Sequence, residues 1–311
     1  MLARARQLLA AMILAAGSTA PAHALDVRWL GVAGFTLTSG ETTIAHDPYL
    51  SRPGMLRLLF GRYEPDAAVL GRMVGPESPA PELARASLIL VGHGHFDHVG
   101  DVAWLAAHSG GRVAGSATAA NVARGYGLAA EKTLVVEPGA VIEEGPFEVR
   151  VVESRHARVL LGRVPLEGEV LEPPPGPMHA LSMKLGDARA YLVTERATGV
   201  RVVLLSSAAV HLPALEELGR DAAPVDLLLA AIQGRDASYA PDLVRTLRPR
   251  VVVPQHFDDF FTSLDDPSAG EPRDPDDLAA FEGEVADAAG AQGMALEVRR
   301  PRLFETIAVV R

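Results

Sequence analysis

The sequence predicts an α/β domain, and three observations carry that reading. Past Leu25, short β-like runs alternate with helix-like runs along the chain. One run, "SLILVG" at 87–92, is apolar without interruption, as a strand covered on both faces is. No internal repeat divides the 311 residues, whose composition, 48% hydrophobic and 22% charged, is that of an ordinary globular protein with a substantial core.

Residues 1–24 stand apart from this pattern. "MLARARQ" carries Arg4 and Arg6, "LLAAMILAAG" is an apolar run, and "STAPAHA" closes on small residues. This is the tripartite layout of a secretory signal peptide cut after Ala24, which predicts a periplasmic or secreted mature chain of residues 25–311. The apolar run, about ten residues, is well short of the roughly 20 that span a bilayer, so no stable membrane insertion of the mature chain is expected.

From Leu25, "LDVRWLGVAGFTLTSGETTIAHDP" reads as strands broken at Gly31, Gly34 and the Ser39-Gly40 turn. "MLRLLFGRYEPDAAVLGRM" reads as a helix, with Met55, Leu56, Leu58, Leu59 and Phe60 expected in the core or over the site. After the buried strand at 87–92, "DVAWLAAHSG" is a helix with a glycine stop. Strands are expected at 133–136, 147–153, 189–194 and 200–206. "LPALEELG" then reads as a helix, "DLLLAAI" as a buried strand, "APDLVRTLR" as a helix and "RVVVPQH" as a strand. An acidic helix, "DPDDLAAFEGEVADAAGA", and a closing hairpin in "ALEVRRPRLFETIAVV" complete the chain. "PPPGP" at 173–177 is a loop.

Charge narrows the function classes. The formal net charge is −10, and only Lys132 and Lys184 are lysines among 29 basic residues. An acidic surface repels phosphate backbones, so a small-molecule substrate is expected and nucleic acid is not. The chain has no cysteine, which removes disulfides, thiolate metal ligands and a cysteine nucleophile together.

The densest signal is "VGHGHFDHVGD" at 91–101, which puts His93, His95, Asp97 and His98 within six positions. In an extended segment the alternating His93, His95 and Asp97 would face one side, and His98 breaks the alternation, so the chain must turn. A buried strand followed by a turn and a helix places these groups at the strand's carboxyl end, where open α/β sheets keep their sites. Imidazoles with a carboxylate favour Zn²⁺, with Fe or Mn left open, and four such groups suit two neighbouring ions better than one. The plain alternative, a run of surface histidines, fits the flanking strand poorly.

"HGHFDH" resembles the HxHxDH signature of the metallo-β-lactamase superfamily, and the likeness runs along nearly the whole mature chain. "RWLGVAGFTL…TTIAHDPYLS" resembles the opening of the branch that includes ascorbate-6-phosphate lactonase and N-acylphosphatidylethanolamine phospholipase D. "VVESRHA" resembles the strand of the third ligand, and "VVVPQHFDDF" the terminal motif. The resemblance implies an αββα sandwich in a single domain. It also implies one ion held by His93, His95 and His156, and a second by Asp97, His98 and His256. Asp47 would orient a metal-bound histidine, although Asp-Pro is also an ordinary turn starter.

One family feature is absent. The aspartate that bridges the two ions falls, in "RVVLLSSAAVHL", on Ser207, or on Ser206 with a one-residue slip. A hydroxyl brings no negative charge, so one ion is expected to be held tightly and a second more weakly, unless Asp258, Asp259 or Glu153 compensates. His46, His179 and His211 read more simply as ordinary surface or core residues than as pocket groups. His108 reads as a partner of a helix dipole, and Trp29 and Trp104 as core.

The resemblance implies a zinc-dependent hydrolase. A metal-bound hydroxide would attack an ester, lactone, amide or phosphodiester, with Asp97 orienting the nucleophile and shuttling its proton. Redox chemistry at a di-iron site is a second enzyme class. A third possibility of another kind is a metal- or ligand-binding protein, weakly catalytic or not at all, that has lost the bridging aspartate.

Overall fold

The structure, a computed structural model, describes residues 25–159, 161–220 and 224–311; the predicted signal segment lies outside them. Fifteen strands among these residues form two sheets. The first contains β1 (Leu25–Gly31), β2 (Gly34–Ser39), β3 (Thr42–His46), β4 (Ala86–Leu90), β5 (Arg112–Gly115), β6 (Thr133–Val135) and β15 (Thr306–Val309), in the order β15-β1-β2-β3-β4-β5-β6. The second contains β7 (Val141–Glu144), β8 (Phe147–Arg155), β9 (Arg189–Glu195), β10 (Arg201–Leu205), β11 (Ala209–Val210), β12 (Leu227–Ala231), β13 (Val251–Gln255) and β14 (Glu297–Val298). Its order is β11-β8-β9-β10-β12-β13-β14, with β7 in a hairpin on β8. Each sheet is antiparallel at one end and parallel at the other, where β3 to β6 in the first and β10, β12, β13 and β14 in the second run side by side.

The uninterrupted apolar run at 87–92 is explained by what covers β4. Leu88 and Leu90 join a core cluster with Phe147, Val149 and Val151 of the facing sheet, whereas Ile89 and Val91 point the other way. There they meet a second cluster built with α1 (Met55–Phe60), α2 (Ala67–Met73), α4 (Val102–Ser109) and α5 (Ala117–Gly125). The opposite sheet is covered by α6 (Leu212–Arg220), α7 (Tyr239–Leu247) and α8 (Pro275–Ala291), through Leu215, Leu243 and Phe281 among others. Full burial of each such side chain contributes about 1.5–3 kcal/mol, so sheets apolar on both faces require this four-layer αββα arrangement.

Two expectations change. The helix predicted across 55–73 is two helices parted by Gly61–Asp66, because Gly61 ends the first turn and Asp66 caps the second through Ala68 N and Val69 N. Of the five apolar residues expected in the core or over the site, only Leu58 is buried; Met55, Leu56, Leu59 and Phe60 are exposed. The closing hairpin does not form either. β14 runs parallel to β13 in one sheet and β15 pairs antiparallel with β1 in the other, so the two segments close opposite sheets. Pro301, between them, has no N–H to give to a hairpin ladder.

Candidate metal centre

Every predicted ligand follows the carboxyl end of a strand or sits in the turn just beyond it. Asp47 follows β3, the His93–His98 segment follows β4, His156 follows β8, Ser206 and Ser207 follow β10, and His256 follows β13. Both sheets thus deliver side chains to one edge. The predicted turn within the motif is α3 (Phe96–Val99), a single helical turn that carries Asp97 and His98 round to the second half of the site.

Two groups of three result. His93, His95 and His156 each offer a ligand atom within 4.8 Å of the others, and so do Asp97, His98 and His256. Within them His93 Nε2 lies 3.1 Å from His95 Nδ1, and His256 Nε2 lies 3.1 Å from Asp97 Oδ2. The groups adjoin, with the His93 and His98 rings 3.8 Å apart between centroids.

Hydrogen bonds on the outward side of the rings set which nitrogen faces inward. His156 Nδ1 donates to the Ala157 carbonyl at 2.7 Å, which leaves Nε2 as the lone-pair nitrogen. His95 Nε2 donates to the Pro165 carbonyl at 3.2 Å, which leaves Nδ1. His98 Nδ1 donates to Asp47 Oδ2 at 2.8 Å, and its Nε2 lies 3.4 Å from Asp97 Oδ2. Asp47 is in turn fixed by the Gly92 N–H on Oδ1 at 2.7 Å. Burial holds His95 near pKa 3 and His156 near 4, and with its histidine neighbours pushes His93 well down, so this triad is neutral as cation ligands must be. Burial disfavours the charged form of Asp97 too, but His98 and His256 outweigh it and keep the carboxyl well below its ordinary range. Burial likewise opposes charge on His98, yet Asp97 and Asp47 on either side raise it to about 10. Five imidazoles and one carboxylate, with buried Nδ1 atoms of His93 and His256 left without a partner, fit one or two divalent cations.

Neither serine at the bridging position is a substitute carboxylate. Ser207 Oγ accepts the Ala157 N–H at 2.9 Å, which secures the turn after His156. Ser206 Oγ donates to His46 Nε2 at 3.0 Å, while His46 Nδ1 donates to the Ala33 carbonyl. The other acids considered are engaged elsewhere. Asp258 is paired with Arg52 at 2.8 Å, Glu153 with His211 at 2.6 Å, and Asp259 accepts from Phe261 N and Thr262 Oγ1 in its own loop. His179 bonds the Leu59 carbonyl, and His108 stacks on Trp104 with centroids 5.1 Å apart.

Several supports were not singled out from sequence. Asp101, the last residue of the quoted motif, is buried and accepts from Leu50 N, Ser51 N, Ser51 Oγ and Tyr63 Oη. It locks the 47–51 segment beneath the histidines. Gly92 is required by close approach, since a Cβ there would lie 1.8 Å from Ser206 Oγ. Asp47 and His256 themselves have positive φ, 41° and 58°, as do Val32 and Arg52, at 51° and 39°. Such backbone costs about 1–3 kcal/mol per residue and is held here by surrounding bonds such as His256 N to the Val32 carbonyl. The doubled glycine-histidine spacing could have flagged Gly92; nothing local marks Arg52.

Above the two groups lies a cavity of about 310 Å³ whose walls include Phe96, Leu166, Leu181, Phe260 and Phe261, with Ser206, Ser207 and Gln233 as its polar side chains outside the histidine–aspartate cluster.

This fold and this edge define a metallo-hydrolase type of protein, and the comparisons agree. Residues 26–256 match the family described as Beta-lactamase superfamily domain. The chain is 30% identical over 242 residues to a UPF0173 metal-dependent hydrolase of Anaeromyxobacter dehalogenans, covering 76% of this chain and 75% of that one. Among solved structures it resembles Igni18, a metallo hydrolase from Ignicoccus hospitalis, with TM-score 0.57, 16% identity and coverage of 93% and 99%. It also resembles CmlA, a diiron beta-hydroxylase from Streptomyces venezuelae, with TM-score 0.60 and 14% identity, over 93% of this chain and 55% of that one. The chain belongs to the beta-lactamase superfamily, among its metal-dependent hydrolases.

Proposed function

We propose that the protein is a zinc-dependent hydrolase of small molecules, in which His93, His95 and His156 would hold the firmer ion and Asp97, His98 and His256 a second. The observation that carries this reading is the ring orientation: His95 and His156 each give one nitrogen to a backbone carbonyl, so the other's lone pair turns toward the cluster, and His98 gives Nδ1 to Asp47 so that Nε2 faces Asp97. When bound, zinc supplies a water acidified toward a pKa of about 7 and a Lewis acid for the carbonyl or phosphoryl oxygen. Asp97, ionised and inside the cluster, orients the attacking water by accepting its hydrogen bond. Asp47 fixes the His98 ring, and the carbonyls of Pro165 and Ala157 fix His95 and His156. Ester, lactone, amide and phosphodiester hydrolysis all fit this arrangement. We further propose that the protein acts outside the cytoplasm after cleavage behind Ala24, as its first 24 residues suggest.

Metal analysis of dialysed wild type and His95→Ala tests the assignment. Wild type is expected to keep zinc and the variant to lose most of it; full zinc occupancy in His95→Ala would sink it. One observation favours a second reading, a metal-binding protein with little catalysis: among the described residues no carboxylate replaces the bridging aspartate. A zinc-loaded wild type that turns over no member of a broad ester and phosphodiester panel would favour it.

A further inference from the structure

The walls of the cavity over the metal groups carry information about substrate. Nine of its lining residues are apolar, among them Val159, Pro165, Leu166, Leu181, Phe260 and Phe261, and among the described residues no arginine or lysine lines it. Val159 and Leu181 are 44% and 46% exposed, so the apolar wall continues to an open rim. The polar groups beside the cluster are few. Ser206 and Ser207 are both engaged, with His46 and with Ala157 N, and Gln233 alone is a neutral group without a partner among the described residues. The nearby cations Arg155 and Arg158 line an adjoining cavity that shares His156 and Ala208 with this one, and Arg158 lines a further cavity that shares Val159 and Gln233.

From this we propose that the substrate is a carboxylic ester or lactone whose acyl group is a hydrocarbon chain, seated against these six residues. The proposal rests on the hydrolase reading above. A phosphodiester's permanent charge would be met by the ions alone, since no side-chain cation among the described residues lines the apolar walls, whereas a neutral ester brings no charge to be met. Hydrocarbon in turn gains by leaving water for such walls. Hydrolysis is balanced without a further reactant. The oxygen of water joins the carbonyl carbon, the bond from that carbon to the alkoxy oxygen breaks, and one proton passes to the departing alkoxide.

A chain-length series decides it. With zinc-loaded protein, kcat/KM for p-nitrophenyl acetate, butanoate, hexanoate and octanoate is expected to rise about fourfold per methylene until the cavity fills. Bis(p-nitrophenyl) phosphate should be turned over far more slowly than the longer esters. Leu181→Asp, at the exposed rim, should flatten the chain-length slope. Equal rates across the series, or preference for the phosphodiester, would overturn the proposal. If no substrate turns over, the hydrolase reading fails, and calorimetry with butan-1-ol and octan-1-ol still tests the acyl site. Octan-1-ol is expected to bind about two orders of magnitude more tightly, from the same increment per methylene. Equal affinity for the two alcohols would sink the assignment of these walls.

Discussion

Ser207 is the residue at which charge is short. Two divalent ions sitting about 3.5–4 Å apart repel strongly, and a shared carboxylate ordinarily offsets that repulsion. Here Ser207 Oγ is a neutral acceptor for Ala157 N, and the donor set holds a single carboxylate, Asp97. Unequal sites are therefore expected: after dialysis the wild type should retain about one equivalent of zinc, and Ser207→Asp should move it toward two. Two equivalents in the wild type, unchanged by the substitution, would make Ser207 a bystander. The motif at 93–98 was legible in the sequence because its spacing is local. His156 and His256 were visible only through resemblance, since 58 and 158 residues separate them from His98 in the chain. Which serine does what could not be read at all. Adjacent hydroxyls have the same pattern, and only the fold sends one to His46 and the other to Ala157.

At the scale of elements, the ends of the strands must be held in register for the site to assemble, and a buried ion pair does part of this. Arg52, beyond β3, and Asp258, beyond β13, are both fully buried and 2.8 Å apart, and Asp258 Oδ1 also accepts the Val32 N–H between β1 and β2. Three connections are thereby tied two residues from His256. Asp258→Ala leaves a buried guanidinium unpaired and is expected to cost about 3–5 kcal/mol in urea denaturation at pH 7. The double variant Arg52→Met, Asp258→Leu should recover much of this, keeping a residual cost for the orphaned Val32 N–H. A single variant as stable as wild type would show that the pair holds nothing. The order of strands and helices was readable because period-2 and period-3.6 patterns are local. The fate of the last two strands was not, because the pattern of "TIAV" is the same whether it pairs with β14 or, as it does, with β1.

At the scale of the whole molecule, the question is where the folded protein begins. Leu25 is the first described residue of β1, buried and paired with Val309 of β15, so a cut after Ala24 leaves every described pairing of β1 intact. The cut also removes Arg4 and Arg6 and no acid, leaving 27 basic against 39 acidic residues and a net charge of −12. A chain without cysteine is indifferent to an oxidising compartment, so export places no redox demand on its folding. Among the described residues no helix is long and apolar enough to cross a membrane. The export proposal predicts that protein isolated from its native cells lies in the fraction outside the cytoplasm, with Leu25 at or beside its amino terminus by N-terminal sequencing. A protein expressed from Leu25 should melt at the same temperature as the isolated one, since both would carry every described pairing of β1. Recovery of Met1 on the native protein would end the export proposal while leaving the metal centre, built wholly from residues beyond Leu25, as it stands.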